Sequence, residues 1–140
     1  MALSASNLKV GDTHTARLVE DLKRTQIVQY AGASGDYNPL HTDEPFARDV
    51  AGYPGVFAHG MLTMGLTGRA LTDWVGDGRL LEYGVRFTAQ VWPGDTLTVT
   101  ATVREIGSRD GVPVALIDIV TTNSRGETVV TGTAVARLEP

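Results

Sequence analysis

Hydrophobic and polar residues alternate with a period of two over most of the second half of the chain. Apolar side chains occupy every second position from Leu81 to Val91, and the alternation resumes from Leu97 to Arg104. This period is typical of strands with one buried face. Residues Val114 to Val120 are apolar on both faces, which predicts a central strand. Thr128 to Leu138 closes the predicted sheet, with a bulge at Gly132.

The first half of the chain has a helical period instead. Thr25 is a candidate cap for a helix from Gln26 to about Ala33. Asp43-Glu44-Pro45 is typical of a helix start and predicts a short helix to about Val50. The longest helix is predicted from His59 to Val75. Its apolar residues extend beyond one face, which indicates a buried helix; they are Met61, Leu62, Met64, Leu66, Gly68, Ala70, Leu71 and Val75.

Two glycines lie inside this long helix. Gly65 and Gly68 each cost about 1 kcal/mol relative to alanine, and the expected compensation is close approach of a sheet packed over the helix. A modest strand is predicted from Thr13 to Asp21, before the helices. Together with the late meander, this order predicts an α+β fold in which an antiparallel sheet wraps around one long helix.

Composition narrows the class of protein. With 140 residues, 42% hydrophobic and 20% charged, the chain is expected to form a single domain over residues 1–140. A net charge of −4 argues against nucleic acid as a partner. The absence of cysteine excludes disulfides and thiolate chemistry. No apolar run has membrane-spanning length, and Met1 to Val10 lacks the pattern of a secretion signal. A cytoplasmic protein without a membrane partner is expected.

The candidate chemistry lies between Ala33 and Asp43. Asp36 and His41 are five positions apart in a segment rich in Gly, Asn and Pro, which favours a loop between two helices. Both side chains are predicted to point the same way from that loop. A carboxylate and an imidazole about one water molecule apart can exchange protons with that water near neutral pH. Asp and Asn are also ordinary turn residues, so the pair alone leaves a purely structural interpretation open.

A family resemblance favours the chemical interpretation. The run Tyr30-Ala31-Gly32-x-Ser34-Gly35-Asp36-x-Asn38-Pro39-x-His41-x-Asp43 resembles the signature of the MaoC-like (R)-specific enoyl-thioester hydratases. A second block, from Ala58 to Gly65, resembles the start of that family's central helix. The similarity extends over essentially the whole chain and is greatest to small single-domain dehydratase subunits of actinobacterial type II fatty-acid synthesis.

This resemblance implies a hotdog fold and a hydro-lyase. The reaction is the reversible hydration of trans-2-enoyl thioesters of coenzyme A or acyl-carrier protein to (R)-3-hydroxyacyl thioesters, with Asp36 and His41 as the catalytic pair. It also implies pairing into a homodimer, or a heterodimer with a related hotdog subunit. Two alternatives stay open: a hotdog acyl thioesterase that uses a lone carboxylate, and a non-catalytic acyl-binding subunit of a heterodimeric dehydratase.

Further residues are candidates for binding the substrate. The amides of Gly60 and Met61, at the start of the long helix, are expected to face the thioester oxygen. Asn38 is either a positioner of the loop or substrate or an ordinary turn residue. Thr63 is either a hydroxyl in the pocket or an ordinary residue of the helix surface. The acyl chain is expected in an apolar groove lined by Tyr53, Val56, Phe57 and Leu62.

No metal or cofactor is expected. His59 with His41 and Asp43 would be a legitimate ligand set for zinc or iron. Their spacing, however, matches no metal-ligand motif, and the hydration needs no Lewis acid. The remaining histidine, His14, lies in the polar lead-in and is expected to be solvated.

Overall fold

The computed structural model, which describes residues 3–140, confirms the predicted α+β architecture. Five antiparallel strands form one sheet, and two α-helices precede four of the strands. In chain order the elements are strand β1 (Thr13–Val19), helix α1 (Arg24–Ser34), helix α2 (Gly60–Val75), and strands β2 (Leu80–Phe87), β3 (Leu97–Arg109), β4 (Val112–Thr122) and β5 (Thr128–Arg137).

The strand order in the sheet is β1-β3-β4-β5-β2, so β4 is the central strand, as predicted. Val114, Ile117 and Ile119 of β4 are buried. Strand β3 is longer than the alternation indicated, because the turn before β4 needs only Asp110 and Gly111. Both have positive φ (51° and 79°), which matches the twist of a two-residue hairpin turn.

Strand β2 is shorter than predicted and ends at Phe87 rather than Val91. Residues 88–91 leave the sheet, and the Val91 carbonyl accepts a hydrogen bond from the Ala58 amide (2.8 Å). The predicted bulge at Gly132 is wrong, since this residue pairs in regular register with Val85 and Ile119. Glycine is needed there for space: a Cβ atom would lie 2.3 Å from the Gly84 carbonyl oxygen.

Helix α2 contacts β1, β2, β3 and β5 and supplies much of the core. Its buried face differs from the predicted stripe, because Met61 is 54% exposed. The close approach of another backbone that was expected at both glycines is not found: a Cβ at Gly68 would lie 3.1 Å from the side-chain ring of Tyr83, and Gly65 faces open space. The buried residues of α2 are Leu62, Thr63, Leu66, Thr67, Ala70, Leu71 and Val75.

Three smaller expectations also change. Lys23 rather than Thr25 is the N-cap of α1, and it makes no side-chain capping bond. His14, expected to be solvated in a polar lead-in, is partly buried: it belongs to β1 and stacks on Trp74 with ring centroids 5.2 Å apart. Within residues 3–140, no helix is long and apolar enough to cross a membrane.

Candidate functional site

The loop that carries the candidate pair begins where helix α1 ends. Gly35 adopts φ 77°, a left-handed conformation that suits glycine, and its amide donates to the Ala31 carbonyl (3.0 Å). The Ser34 hydroxyl donates to the Tyr30 carbonyl (2.7 Å) and accepts from the Asp36 amide (3.2 Å). The helix predicted to end at about Ala33 therefore ends one residue later, at Ser34, and Asp36 follows in the turn.

Asn38 shapes the rest of this loop. Its backbone amide donates to the Asp36 carboxylate (3.2 Å), and its side-chain oxygen accepts from the Leu40 amide (3.0 Å). The second bond caps a single 3₁₀ turn from Pro39 to His41. His41 therefore lies on a short helical turn. Asn38 makes one hydrogen bond to the Asp36 carboxylate and one at the start of the turn that carries His41.

The imidazole of His41 is held in one orientation. The ring is buried, and its Nδ1 lies 2.7 Å from the Phe57 carbonyl oxygen. A carbonyl can only accept, so Nδ1 carries the proton and donates. In the neutral ring, Nε2 then has a free lone pair and can accept a proton from water.

Asp36, His41 and His59 converge on one place. One carboxylate oxygen of Asp36 and one ring nitrogen from each histidine all lie within 4.8 Å of one another. A water molecule that donates both protons in hydrogen bonds of about 2.8 Å spans two acceptors about 4.5 Å apart. An Asp36 carboxylate oxygen and a His41 ring nitrogen that are at most 4.8 Å apart are within the reach of one such water.

The position of His59 was not anticipated from the sequence. It is the N-cap of α2 and is 1% exposed. Its Nε2 lies 3.0 Å from the backbone carbonyl oxygen of Asp36, and its ring stacks on His41 with centroids 3.8 Å apart and planes 25° apart. One feature of the sequence could have indicated that His59 is buried. It lies between Ala58 and Gly60, the first residue of an apolar helix.

Among residues 3–140, the same three residues form the group whose donor atoms lie close enough together to hold a metal ion. Asp43, part of the set considered from sequence, instead accepts from the Phe46 amide (3.2 Å) at the next helical turn. The remaining donors do not fit a cation well. Nδ1 of His41 and Nε2 of His59 each face a backbone carbonyl, so each ring has at most one nitrogen left for a cation.

A cavity of about 320 Å³ opens beside the start of α2. Gly60 and Thr63 line it together with Phe57, whose ring also meets the His41 ring edge-on at 5.3 Å. The other lining residues are Ala58, Phe87, Thr88, Ala89, Gln90, Val91, Val129 and Val130. The segment 88–91 that leaves the sheet thus forms one wall, which the simple alternation did not indicate.

The other predicted pocket residues lie elsewhere. Val56 and Leu62 are buried in the interior, and Tyr53 packs against the Phe57 ring with centroids 4.9 Å apart. Met61 is exposed in the first turn of α2, where backbone amides have no acceptor within the helix. Of the four acyl-pocket candidates, only Phe57 lines the cavity.

An ion pair fastens the loop that leads to the cavity. Arg24 of α1 contacts the Glu44 carboxylate, which also accepts from the Val56 amide (3.4 Å). The bond from Arg24 lowers the pKa of Glu44. The carboxylate also fills the space beside Gly55, where a Cβ atom would lie 2.4 Å from its oxygen.

Comparison with known proteins agrees with this architecture. A family model described as a MaoC like domain matches residues 6–124. The chain is 34% identical over 141 residues to the (R)-specific enoyl-CoA hydratase of Aeromonas caviae, covering 97% of this chain and 99% of that protein. It is 43% identical over 86 residues to the 3-hydroxyacyl-thioester dehydratase Y of Mycobacterium tuberculosis, which covers 59% of this chain and 29% of that longer relative.

Solved structures give the same result. The (R)-hydratase from A. caviae involved in PHA biosynthesis superposes with a TM-score of 0.83 at 29% identity, covering 96% of this chain and 99% of that one. R-hydratase PhaJ1 from Pseudomonas aeruginosa superposes with a TM-score of 0.83 at 28% identity, covering 99% of this chain and 88% of that one. The chain therefore belongs to the MaoC-like dehydratase family and has the hotdog fold of its (R)-hydratase structures.

Proposed function

We propose that this protein catalyses the reversible hydration of trans-2-enoyl thioesters to (R)-3-hydroxyacyl thioesters. The observation that carries the proposal is the convergence of the Asp36 carboxylate and the His41 ring within 4.8 Å. The full-length similarity to the (R)-specific enoyl-CoA hydratase of A. caviae supports it. The reaction adds water without oxidation or reduction, so the two side chains and one water can supply every proton transfer that it needs.

Asp36 and His41 divide the chemistry as a unit. The carboxylate and the Nε2 lone pair of His41 each accept one hydrogen bond from the water, which leaves the oxygen lone pairs free for C3. As the C3–O bond forms, one water proton passes to the pair, and the pair then delivers a proton to C2 on the same face. The C2=C3 double bond becomes single and the thioester stays intact. Dehydration follows the reverse path.

The start of α2 is proposed to bind the thioester. The first-turn amides of Gly60 and Met61, at the positive end of the helix dipole, would stabilise negative charge on the thioester oxygen. Gly60 and Thr63 border the cavity. Asp36 and His41 do not line it, but Phe57, which does, also contacts the His41 ring. We therefore assign the acyl chain to this cavity, with Phe57 as its shared wall and Val56, Leu62 and Tyr53 as supporting residues behind it.

A spectrophotometric assay with a short trans-2-enoyl-CoA tests the proposal. Hydration removes the absorbance of the conjugated enoyl group without releasing thiol, whereas a thioesterase releases thiol that a disulfide reagent detects. We expect the absorbance to fall with no thiol, and chromatography to give the (R)-3-hydroxyacyl product. Thiol release at the same rate would favour the thioesterase, and no reaction by the folded, purified chain would favour a non-catalytic subunit.

Pairing with a second hotdog subunit, identical or related, is part of the proposal. Strand β2 is an edge strand and exposes Leu81 (48%) and Phe87 (49%), a pattern that invites strand pairing. One structural relative is the ChsH1-ChsH2 complex of M. tuberculosis (TM-score 0.77, 25% identity, covering 94% of this chain and 98% of that one). In analytical ultracentrifugation, the wild type should sediment as a dimer and Leu81→Lys as a monomer. A thioester of either coenzyme A or acyl-carrier protein fits the proposal, and a cytoplasmic location stays a prediction.

A further inference from the structure

His59 contacts both members of the pair that the proposed function invokes. Its Nε2 lies 3.0 Å from the Asp36 backbone carbonyl, and because a carbonyl only accepts, Nε2 carries the proton and donates. The bond joins residues 23 positions apart in the chain. It therefore ties the turn that carries Asp36 to the first residue before α2.

The same ring fixes the plane of His41. The two imidazoles stack at 3.8 Å, while Tyr30 of α1 meets the His59 ring edge-on at 4.8 Å. His41 is thus held at its Nδ1 by the Phe57 carbonyl and on one face by His59. With both constraints in place, the in-plane direction of the His41 Nε2 lone pair has little freedom.

The buried Nδ1 of His59 needs an explanation. Within residues 3–140 it has no hydrogen-bond partner, and in the ring whose Nε2 donates, Nδ1 bears a lone pair. A buried acceptor without a partner costs about 1–3 kcal/mol. An apolar ring of similar size would avoid that cost but would leave the Asp36 carbonyl without its donor, so the Nε2–H bond to the Asp36 turn is what the imidazole adds at this position.

We propose that His59 is a positioning residue for the hydration: its Nε2–H holds the Asp36 turn, and its ring holds the His41 plane, so that both acceptors meet one water. The inference rests on the proposed function. His59 itself exchanges no proton with the substrate. A displacement of about 1 Å in such a site can lower turnover about 10²-fold, which sets the size of the expected effect.

Three variants separate the two contacts. His59→Phe keeps a stacking ring but lacks the donor, and His59→Gln keeps an amide donor near the position of Nε2. His59→Asn carries the same amide on a chain too short to reach the Asp36 carbonyl. Tyr30→Phe is the matched control, because it retains the edge contact with His59.

For each variant we would measure kcat and KM with a short trans-2-enoyl-CoA, and thermal unfolding in parallel. We expect His59→Phe to lower kcat about 10- to 100-fold with KM changed less than about threefold. On a logarithmic scale, His59→Gln should recover at least about a third of the kcat that His59→Phe loses, and His59→Asn should not. The kcat of Tyr30→Phe should stay within about twofold of the wild type.

Several results would overturn the role. An unchanged kcat in folded His59→Phe would overturn it. Equal losses of kcat in His59→Gln and His59→Asn would overturn it too, and this second comparison tests the role even if His59→Phe does not fold. Nitrogen-15 NMR of the histidine side chains provides a test without turnover: a proton on Nδ1 of His59 at neutral pH, with Nε2 bare, would contradict the assigned bond. An inactive wild type would remove the proposed function and this role together, whereas an active wild type with unaffected His59 variants would remove this role alone.

Discussion

Replacement of His41 by asparagine isolates the Nε2 atom on which the proposed chemistry depends. The Asn amide nitrogen occupies about the place of the imidazole Nδ1, so it can still donate to the Phe57 carbonyl. The variant therefore avoids the cost of about 1–3 kcal/mol for a buried carbonyl without a donor. What it removes is the second ring nitrogen, together with the stacking on His59.

The size of the effect follows from the role of that nitrogen. General acid–base catalysis contributes about 10² to 10⁴ in rate, so kcat/KM should fall by about that factor, which corresponds to about 2.7–5.5 kcal/mol of transition-state stabilisation. Loss of the ring contacts with His59 and Phe57 should lower the free energy of unfolding by about 1–3 kcal/mol. The variant should therefore be assayed at a temperature where far-UV circular dichroism shows both proteins folded.

The assay is hydration of a short trans-2-enoyl-CoA, followed by the loss of conjugated absorbance. His14→Asn is a matched control, since it makes the same substitution at a histidine of β1 that stacks on Trp74. We expect that control to keep kcat/KM within about twofold. A folded His41→Asn protein with kcat/KM within tenfold of the wild type would refute the assignment of His41 Nε2 as a proton acceptor.

Three further predictions concern stability. Gly132→Ala should lower the free energy of unfolding in urea by about 1–3 kcal/mol, because its Cβ would lie 2.3 Å from the Gly84 carbonyl oxygen. Gly84→Ala is the control, since a Cβ there meets nothing within 4 Å. Equal losses of stability in the two variants would contradict the steric argument. The bond from Arg24 holds the pKa of Glu44 below its ordinary 4.5. The ionised carboxylate therefore stabilises the fold above pH 4.5, and this contribution is lost as the pH falls through the lowered pKa. Glu44→Gln should lose less stability on acidification than the wild type, and the same loss in both proteins would contradict the prediction. Burial raises the pKa of Tyr83 to about 12. The Tyr83 phenol therefore ionises at lower pH in the unfolded chain than in the folded one, and the free energy of unfolding should decline as the pH rises from 10 toward 12. Tyr83→Phe should show a smaller decline, and the same slope in both proteins would contradict the prediction.

The sequence predicted the elements whose signal is local. The alternation from Leu97 onward and the both-faced apolar run in β4 identified the meander, and the family signature located Asp36 and His41 five positions apart on one loop. Both could be predicted because the residues involved are near neighbours in the chain. The end of α1 at Ser34 followed for the same reason, since Gly35 favours a left-handed cap.

What the sequence did not predict depends on contacts between distant segments. The bond between His59 and the Asp36 carbonyl joins two loops, and no periodicity encodes it. Gly132 looked like a bulge because an isolated glycine in a strand commonly marks one, whereas its actual reason is the approach of the neighbouring strand β2. Met61 was assigned to the buried stripe because apolar periodicity cannot tell a core face from a face left exposed in the single chain.

The central claim is that Asp36 and His41 act as one unit on one water molecule. A double-mutant cycle with Asp36→Asn, His41→Asn and the combined variant, measured as kcat/KM for enoyl-CoA hydration, tests it most directly. If the two side chains share the water, removing either one disables the unit, and the double variant should be within about threefold of the less active single variant. If instead the two losses multiply, each side chain contributes independently and the shared-water mechanism is contradicted.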